Sequence, residues 1–585
     1  MEAEYEPLQG SKLQNRPARN AKKITTLMGV GLALSSVVWF TGSSILSSSS
    51  SSSKHVTFSQ QGYAPDTLRC GSIEPVGPEF NKSIELIFRD PDFRQKSLEN
   101  FSGAIQIPTE IQDTNPQPND DLDYYQRFFQ FHDYLETTFP LVHQHLKREK
   151  VNSVALLYTW NGSDPSLKPL MLTAHQDVVP VNPATADNWT YPPFSGHYDN
   201  KTDLVWGRGA ADCKNLLIGE LEAVEQLLKD GFEPKRSVVL AFGFDEESSG
   251  LLGAHDLGEF LYERYGDNGI YAVVDEGGGI VPIDKNVYVA APITAEKGYV
   301  DVEITVHGVG GHSSVPPDHT TIGVAASLIT LLESNPFPPT FTPENPFYGF
   351  LTCAAEHSSR LPNEWKKAIL DAPFDSEQKH QLISLVSSER SLRDLLRTSQ
   401  AVDIIQGGIK ANALPEMTSF VVNHRIDINS SVKKTLERDL QFVKKVAEQF
   451  HYGVVCDGEE IVPSTDLGYI EVLTKKTLEP APRSPVTDSK VWDLFAGTIQ
   501  NVFENGHFKD DSDVEFYVTQ SLISGNTDTR YYWRLTENIY RFMAIIVDKA
   551  LMHTIHSVDE HISLSSHLST VAFVYEYIVN VSEKA

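Results

Sequence analysis

The stretch NLLIGELEAVEQLLKDGFEPKRSVVLAFGF, Asn215 to Phe244, decides the class of the fold. Its first half carries Leu217, Leu221, Val224 and Leu228 at steps of 4, 3 and 4, one face of an amphipathic helix that Gly231 can close. Its second half, RSVVLAFGF, is an apolar run of strand length. The alternation extends both ways. Upstream, PLMLTAHQDVV is a strand that ends in polar residues; downstream, LLGAHDLGEFLYERY reads as a helix and GIYAVVDEGGG as a strand with a turn. Strands that are apolar throughout, separated by helices, imply an α/β sandwich whose mainly parallel central sheet is covered on both faces.

After Lys297 the pattern changes. GYVDVEITVHG and EMTSFVVNHRIDI alternate like half-exposed strands, while TIGVAASLITLL and SVKKTLERDLQFVKKVAEQF read as helices, so 298–460 form a smaller α+β module. Pro clusters and a charged segment at about 335–400 mark an insertion within it. Mixed α/β character returns over 461–585, which assigns 120–297 and 461–585 to one large domain. A chain of 585 residues needs such a division, because single cores stop growing at about 250 to 300 residues.

Residues 24–46, ITTLMGVGLALSSVVWFTGSSIL, are uncharged and long enough to cross a membrane as a helix. Lys12, Arg16, Arg19, Lys22 and Lys23 precede them, so the positive-inside rule leaves 1–23 in the cytosol and puts the large domains across the membrane. A cleaved signal peptide is the competing reading. The tail contains Tyr5-Glu6-Pro7-Leu8, similar to tyrosine-based sorting signals, which makes sorting adaptors expected partners. Residues 47–119 read as a serine-rich tether, Ser47 to Ser53, followed by an irregular arm. N-x-S/T sequons stand at Asn81, Asn100, Asn161, Asn188, Asn200, Asn429 and Asn580, all after the span, as candidate glycosylation sites. With 49 basic against 78 acidic side chains the formal charge is -29, which argues against nucleic acid as a partner. Cys70, Cys213, Cys353 and Cys456 are too few and too scattered for a disulfide scaffold or a cysteine-rich zinc site, and they leave the redox compartment open.

Polar residues at the carboxyl ends of strands line the crevice of an α/β sheet. In AHQDVV, His175 and Asp177 lie two apart, and Asp177 is placed to fix the imidazole. In WGRGAADCKN, Asp212 precedes a helix; FGFDEESSG ends a strand in Asp245, Glu246 and Glu247; VVDEGGG offers Asp275; IHSVDEHI offers His556. Each acid alone reads as a turn or cap residue, but acids and histidines at successive strand ends form a hard-ligand set suited to zinc, cobalt or manganese. Alternation would send Glu246 and Glu247 to opposite sides, so both serve one site only if the chain bends at Ser248, Ser249 and Gly250.

In order and spacing, TAHQDVVPV, WGRGAADCKN, FGFDEESSG, VVDEGGG, GVGGHSSVP and IHSVDEHI resemble the M20 family of metallopeptidases, in its carboxypeptidase S branch of fungal vacuolar Gly-Xaa carboxypeptidases. The resemblance spans about 120–585 and implies a zinc-exopeptidase-like fold with an inserted lid or dimerisation domain. It implies two zinc ions, cobalt or manganese being substitutes, bridged by Asp212, with His175 and Asp275 completing one site and Glu247 and His556 the other. Asp177 would orient His175, and Glu246 would be the general base. By the same resemblance His312 is a lid histidine that reaches a metal centre within one chain or across a homodimer, Asn412 and Arg425 hold the substrate's terminal carboxylate, and Gly525 contacts substrate backbone. The branch's type II anchor also matches, which implies a vacuolar membrane protein with a luminal catalytic domain. The implied activity is hydrolysis of the C-terminal bond of short Gly-Xaa peptides. An N-acyl-amino-acid amidohydrolase uses the same metals and clamp, and from a different class an inactive receptor-type ectodomain would keep the fold while losing ligands.

Overall fold

A computed structural model describes Cys70, Gly71 and residues 73–585, so the span at 24–46 and the tail signal lie outside the described residues. Among the described residues no helix is long and apolar enough to cross a membrane.

The central sheet has ten strands, in which Val238–Gly243, Leu170–His175, Ala272–Asp284 and Ile539–Ile546 run parallel side by side. Its flank is antiparallel: Lys147–Val151 pairs with Ala155–Trp160, which pairs with Val238–Gly243. The sheet is therefore mixed, with a parallel centre. Alternation within the central strands builds two cores. Leu172, Leu240, Phe242 and Val274 face the layer made by the helices Lys214–Asp230, Lys490–Val502 and Leu564–Lys584. Met171, Val239, Ala241 and Val273 face the layer that includes Ala254–Tyr265. The helix from the opening stretch runs Lys214–Asp230 and ends as its sequence suggests, with Gly231 at φ +76° as its cap. It is buried on nearly every face, because the last helix crosses its other side.

Two boundaries differ from expectation. The arm is not irregular over 84–105: it folds there as the helices Ile84–Arg89 and Pro91–Ile105, while 106–119 carry no helix or strand. Asp90 caps the second through Phe93 N at 2.7 Å, Pro91 occupies its first position, and Phe101, Ala104 and Ile105 enter the main core. The Pro, Asn and Asp content that suggests loop thus serves partly as helix-start chemistry. The second sheet also reaches further than residue 460. Gly468–Leu478 pairs with Gly298–Gly308 along its length, so the smaller module extends to 478.

That module is a six-stranded sheet, antiparallel except where Gly453–Cys456 meets Gly468–Leu478. Val300, Val302, Ile304 and Val306 of its central strand pack with Phe420 and Val422 under the helices Thr321–Glu333 and Val432–Phe450. The insertion forms four helices, Phe347–His357, Asn363–Asp371, Ser376–Ser388 and Arg390–Arg393. Although it interrupts the small module in sequence, its core residues Phe350, Leu351 and Cys353 pack with Ile283, Val289, Ile293 and Leu522 of the large sheet. Cys353 is also disulfide-bonded to Cys70, a pairing across 283 residues that the scattered cysteines did not suggest.

Candidate metal centre and active site

The site lies at the carboxyl ends of the parallel strands. His175 ends its strand; Nδ1 donates to the backbone oxygen of Asp177 at 2.9 Å, and Nε2 lies 3.1 Å from Asp212 Oδ1. The Asp177 carboxylate backs this arrangement, with Oδ1 3.4 Å from His175 Nδ1 and Oδ2 accepting from Glu247 N at 3.0 Å. On the other side of Asp212, Oδ2 lies 2.9 Å from His556 Nε2, which is 3.1 Å from Glu247 Oε2. His556 itself holds φ +57°, a left-handed conformation that costs energy in a non-glycine residue and persists where surrounding contacts enforce it.

Two groups of donor atoms thus share Asp212, each within 4.8 Å of one another: His175, Asp212, Cys213 and Glu276, and Asp212, Glu247 and His556. The first group holds two carboxylates, Asp212 and Glu276, while the expected Asp275, next in sequence to Glu276, keeps Oδ2 buried without a hydrogen-bond partner. Neighbours on a strand face opposite ways, and Glu276 is the one that turns to the cluster, with Oε2 3.5 Å from His175 Nε2. Asp275 instead accepts from Glu276 N at 2.8 Å and sits in register with Arg541 on the adjacent strand. Its strand does not end there but continues to Asp284. The glycines admit close neighbours: a Cβ on Gly278 would stand 2.1 Å from Ala291 O. Cys213 Sγ is engaged by His175 N at 3.4 Å, and burial raises its thiol pKa well above normal.

The bend required at Glu246 and Glu247 is present. Glu246–Ser248 form a single helical turn, followed by Ser249 at φ +90° and Gly250 at φ +67°. A Cβ on Gly250 would fall 2.2 Å from Asp528 Oδ1, so only glycine fits that turn. Asp245, for which the sequence offers no role, pins the loop by accepting from Leu252 N and Gly253 N, both at 2.8 Å. Glu560 does the same for Asp212: buried against Arg208 at 2.6 Å, it accepts from Ala211 N at 2.9 Å and Asp212 N at 3.2 Å.

Electrostatics mark the cluster as a cation site. Burial, then the Glu276 charge, pushes the Glu246 carboxyl well above its usual range. Burial and the Asp212 charge carry Glu247 up to about 7. Burial opposes ionisation of Asp212 too, but bonds to His175 and His556 hold it well below normal. His556 responds against its own burial, rising to about 11 through Asp212 and Glu247. Glu247 Oε1, Asp177 Oδ1 and Asp275 Oδ2 are buried without a hydrogen-bond partner. Crowded acids with orphaned oxygens and two imidazoles form a donor set that fits divalent cations.

The expected substrate-binding residues lie apart from this cluster. His312 is exposed on the small module, its Nδ1 accepting from Ser314 N at 3.1 Å, with no bond to the carboxylates. Asn412 is exposed in the adjacent loop. Arg425 reaches the large domain, where Nη1 donates to Asn526 Oδ1 at 3.1 Å, and Gly525 precedes that asparagine. Among the sequons, Asn81, Asn161, Asn188, Asn200 and Asn429 are exposed. Asn100 and Asn580 do not fit glycan acceptors in this fold: the Asn100 amide donates to Glu222 Oε1 at 2.8 Å, and that of Asn580, fully buried in the last helix, donates to Val76 O at 2.8 Å.

Residues 171–580 match the family model described as peptidase family M20/M25/M40. Carboxypeptidase S of Saccharomyces cerevisiae is 58% identical over 88% of this chain and 89% of its own length. The human N-fatty-acyl-amino acid synthase/hydrolase is 33% identical over 82% of this chain and 87% of its own length. Among solved structures, an M20 family metallo-carboxypeptidase from Sulfolobus solfataricus superposes with TM-score 0.52 at 17% identity, covering 83% of this chain and 98% of the other, a likeness of fold alone. The chain belongs to peptidase family M20/M25/M40, in the branch that contains carboxypeptidase S.

Proposed function

We propose that this metallocarboxypeptidase hydrolyses the C-terminal bond of short peptides of the Gly-Xaa type, and that Asp212 and the residues around it would hold two zinc ions. The family's metallopeptidases use divalent metal ions. The observation that carries the reading is the shared carboxylate: Asp212 Oδ1 faces His175 at 3.1 Å while Oδ2 faces His556 at 2.9 Å. His175 with Asp275, and Glu276 beside them, would serve one group, Glu247 and His556 the other. When bound, a pair of divalent ions lowers the pKa of a water and polarises the scissile carbonyl.

The chain's own residues do the rest. Glu246, as the carboxylate, takes the proton of the attacking water and returns it to the departing amine, and burial with nearby like charge raises its affinity for that proton. Arg425 and Asn412 receive the substrate's free carboxylate, which a guanidinium fork matches better than an ammonium. Gly525 leaves room for substrate backbone, since a Cβ there would meet only Ile523 at 3.9 Å. His312 supplies a donor for the tetrahedral oxyanion. A homodimer is part of this reading; the edge strand Ser399–Gly407, with Ile404 and Ile405 exposed, supports a surface for it. The Cys70–Cys353 disulfide supports a luminal catalytic domain, here that of a single-pass type II protein of the vacuolar membrane.

The second reading is N-acyl-amino-acid hydrolysis, favoured by the 33% identity to the human N-fatty-acyl enzyme. Purified protein assayed on blocked Gly-Leu dipeptides, free dipeptides and N-fatty-acyl amino acids separates the two. A higher kcat/KM for blocked dipeptides is expected, and preference for the fatty-acyl substrates overturns the first reading.

A further inference from the structure

We infer that Asn526 is a positioning residue for Arg425, aiming the guanidinium so that discrimination for a free C-terminal carboxylate depends on a contact across the two domains. The inference rests on the reading of Arg425 as the carboxylate clamp and adds what holds that clamp in place.

Arg425 belongs to the strand Met417–Ile426 of the small module, and Asn526 to the loop after Ser521–Ile523 of the large one. Arg425 is stacked over the Tyr299 ring, 4.6 Å from its centroid, and opposite that residue in strand register. Stacking fixes the plane of a guanidinium but leaves it free to slide. The bond from Nη1 to Asn526 Oδ1 at 3.1 Å removes that freedom. Among the described residues, Arg425 has no carboxylate within ion-pair distance. The same holds for Arg530, four residues beyond Asn526, whose Nε donates to Thr527 O at 2.9 Å. Burial and the Arg530 charge both disfavour the cation at Arg425, so the pair favours an incoming anion.

Asn526 is itself held. Its Nδ2 donates to Lys297 O at 2.6 Å, at the point where the chain crosses from the large sheet to the small one. The buried Lys297 ammonium donates to Asp394 O at 2.6 Å and Arg397 O at 2.7 Å, where the insertion returns to the small module. Next along the loop, Glu296 Oε1 accepts from Thr527 N at 2.9 Å. The asparagine therefore stands on a junction of three segments, with one atom projecting to the arginine. A neutral acceptor suits that role, because an aspartate would form an ion pair with Arg425 and compete with substrate.

The test compares Asn526→Ala, Asn526→Asp and Arg425→Met in the zinc-loaded protein, on a peptide with a free C-terminal carboxylate and on its carboxamide. Expected for Asn526→Ala is a KM for the carboxylate peptide raised about tenfold with kcat within about twofold, and a matching loss of carboxylate-over-carboxamide preference. Asn526→Asp should raise that KM further, whereas a space-filling role makes it no worse than alanine. Folding is checked by thermal unfolding; if alanine does not fold, the aspartate variant decides. Unchanged KM and preference in folded Asn526 variants, with Arg425→Met impaired, overturn the positioning role. An Arg425→Met variant that keeps its preference overturns the clamp reading instead.

Discussion

The metal cleft and the arginine site are assembled in opposite ways. In the cleft, His175 at a strand end, Asp212 before a helix, Glu246 and Glu247 in a turn, Glu276 within a strand and His556 after a helix converge, and the backbone around them is tied down within the large domain: Asp177 holds that of Glu247, Glu560 that of Asp212, and Asp245 the turn beyond Glu246. The arginine site is made of Arg425 from one module and the 525–530 loop of the other, linked through single bonds. One is a rigid concentration of negative charge that calls for cations; the other is a sparse positive site whose geometry depends on how two sheets meet.

The contrast can be broken at its strongest point first. Asp212→Ala should remove the element common to both donor groups, so bound metal in dialysed protein falls below one ion per chain and turnover is lost; a full metal complement in that variant contradicts the bridge. Glu246→Gln should lower kcat by about 10² to 10⁴ with metal content unchanged, and retained activity rules out the general-base role. Arg425→Lys should raise KM for carboxylate substrates about tenfold while kcat holds, a signature of ground-state binding read from steady-state kinetics.

The smallest effect sharpens the claim about charge. Glu576, buried in the last helix away from the cleft, is pushed up to about 7 by burial against the relief of Asn501 and Lys584. Its folded-state pKa lies above the unfolded value, so the folded protein keeps a proton that the unfolded chain releases. Stability is then retained below about pH 4.5 and declines as pH rises toward 7, by up to a few kcal/mol. Denaturant unfolding of Glu576→Gln between these limits should show a shallower decline than the parent. An equal slope in both proteins denies that burial penalises this carboxylate.

Much of this molecule is legible in its sequence because strand ends are marked twice, by the close of an apolar run and by the polar residue that follows. That double mark points to His175 and Glu247; Asp212 before a helix and His556 after one lack it, and the fold brings all four together. At VVDEGGG the strand continues through the glycines, and strand phase puts Glu276, which the apolar run does not single out, beside His175. Glu560 and Asn526 carry no local signal at all: each acts on backbone or side chain hundreds or about a hundred residues away, at 3.2 Å from Asp212 N and 3.1 Å from Arg425. The sequons at Asn100 and Asn580 fail for the same reason, because a three-residue pattern says nothing of burial. The apolar stretch 24–46, expected from the sequence to be a span, lies outside the described residues.

The disulfide has a mechanical consequence. Cys70 is where the described chain begins, and its bond passes directly into the helix Phe347–His357, which is packed on the large sheet. The bond thus ties Cys70 to the insertion and the sheet beneath it independently of the helices Ile84–Arg89 and Pro91–Ile105. A cut of the chain between Cys70 and those helices therefore leaves Cys70 covalently attached until the disulfide is reduced.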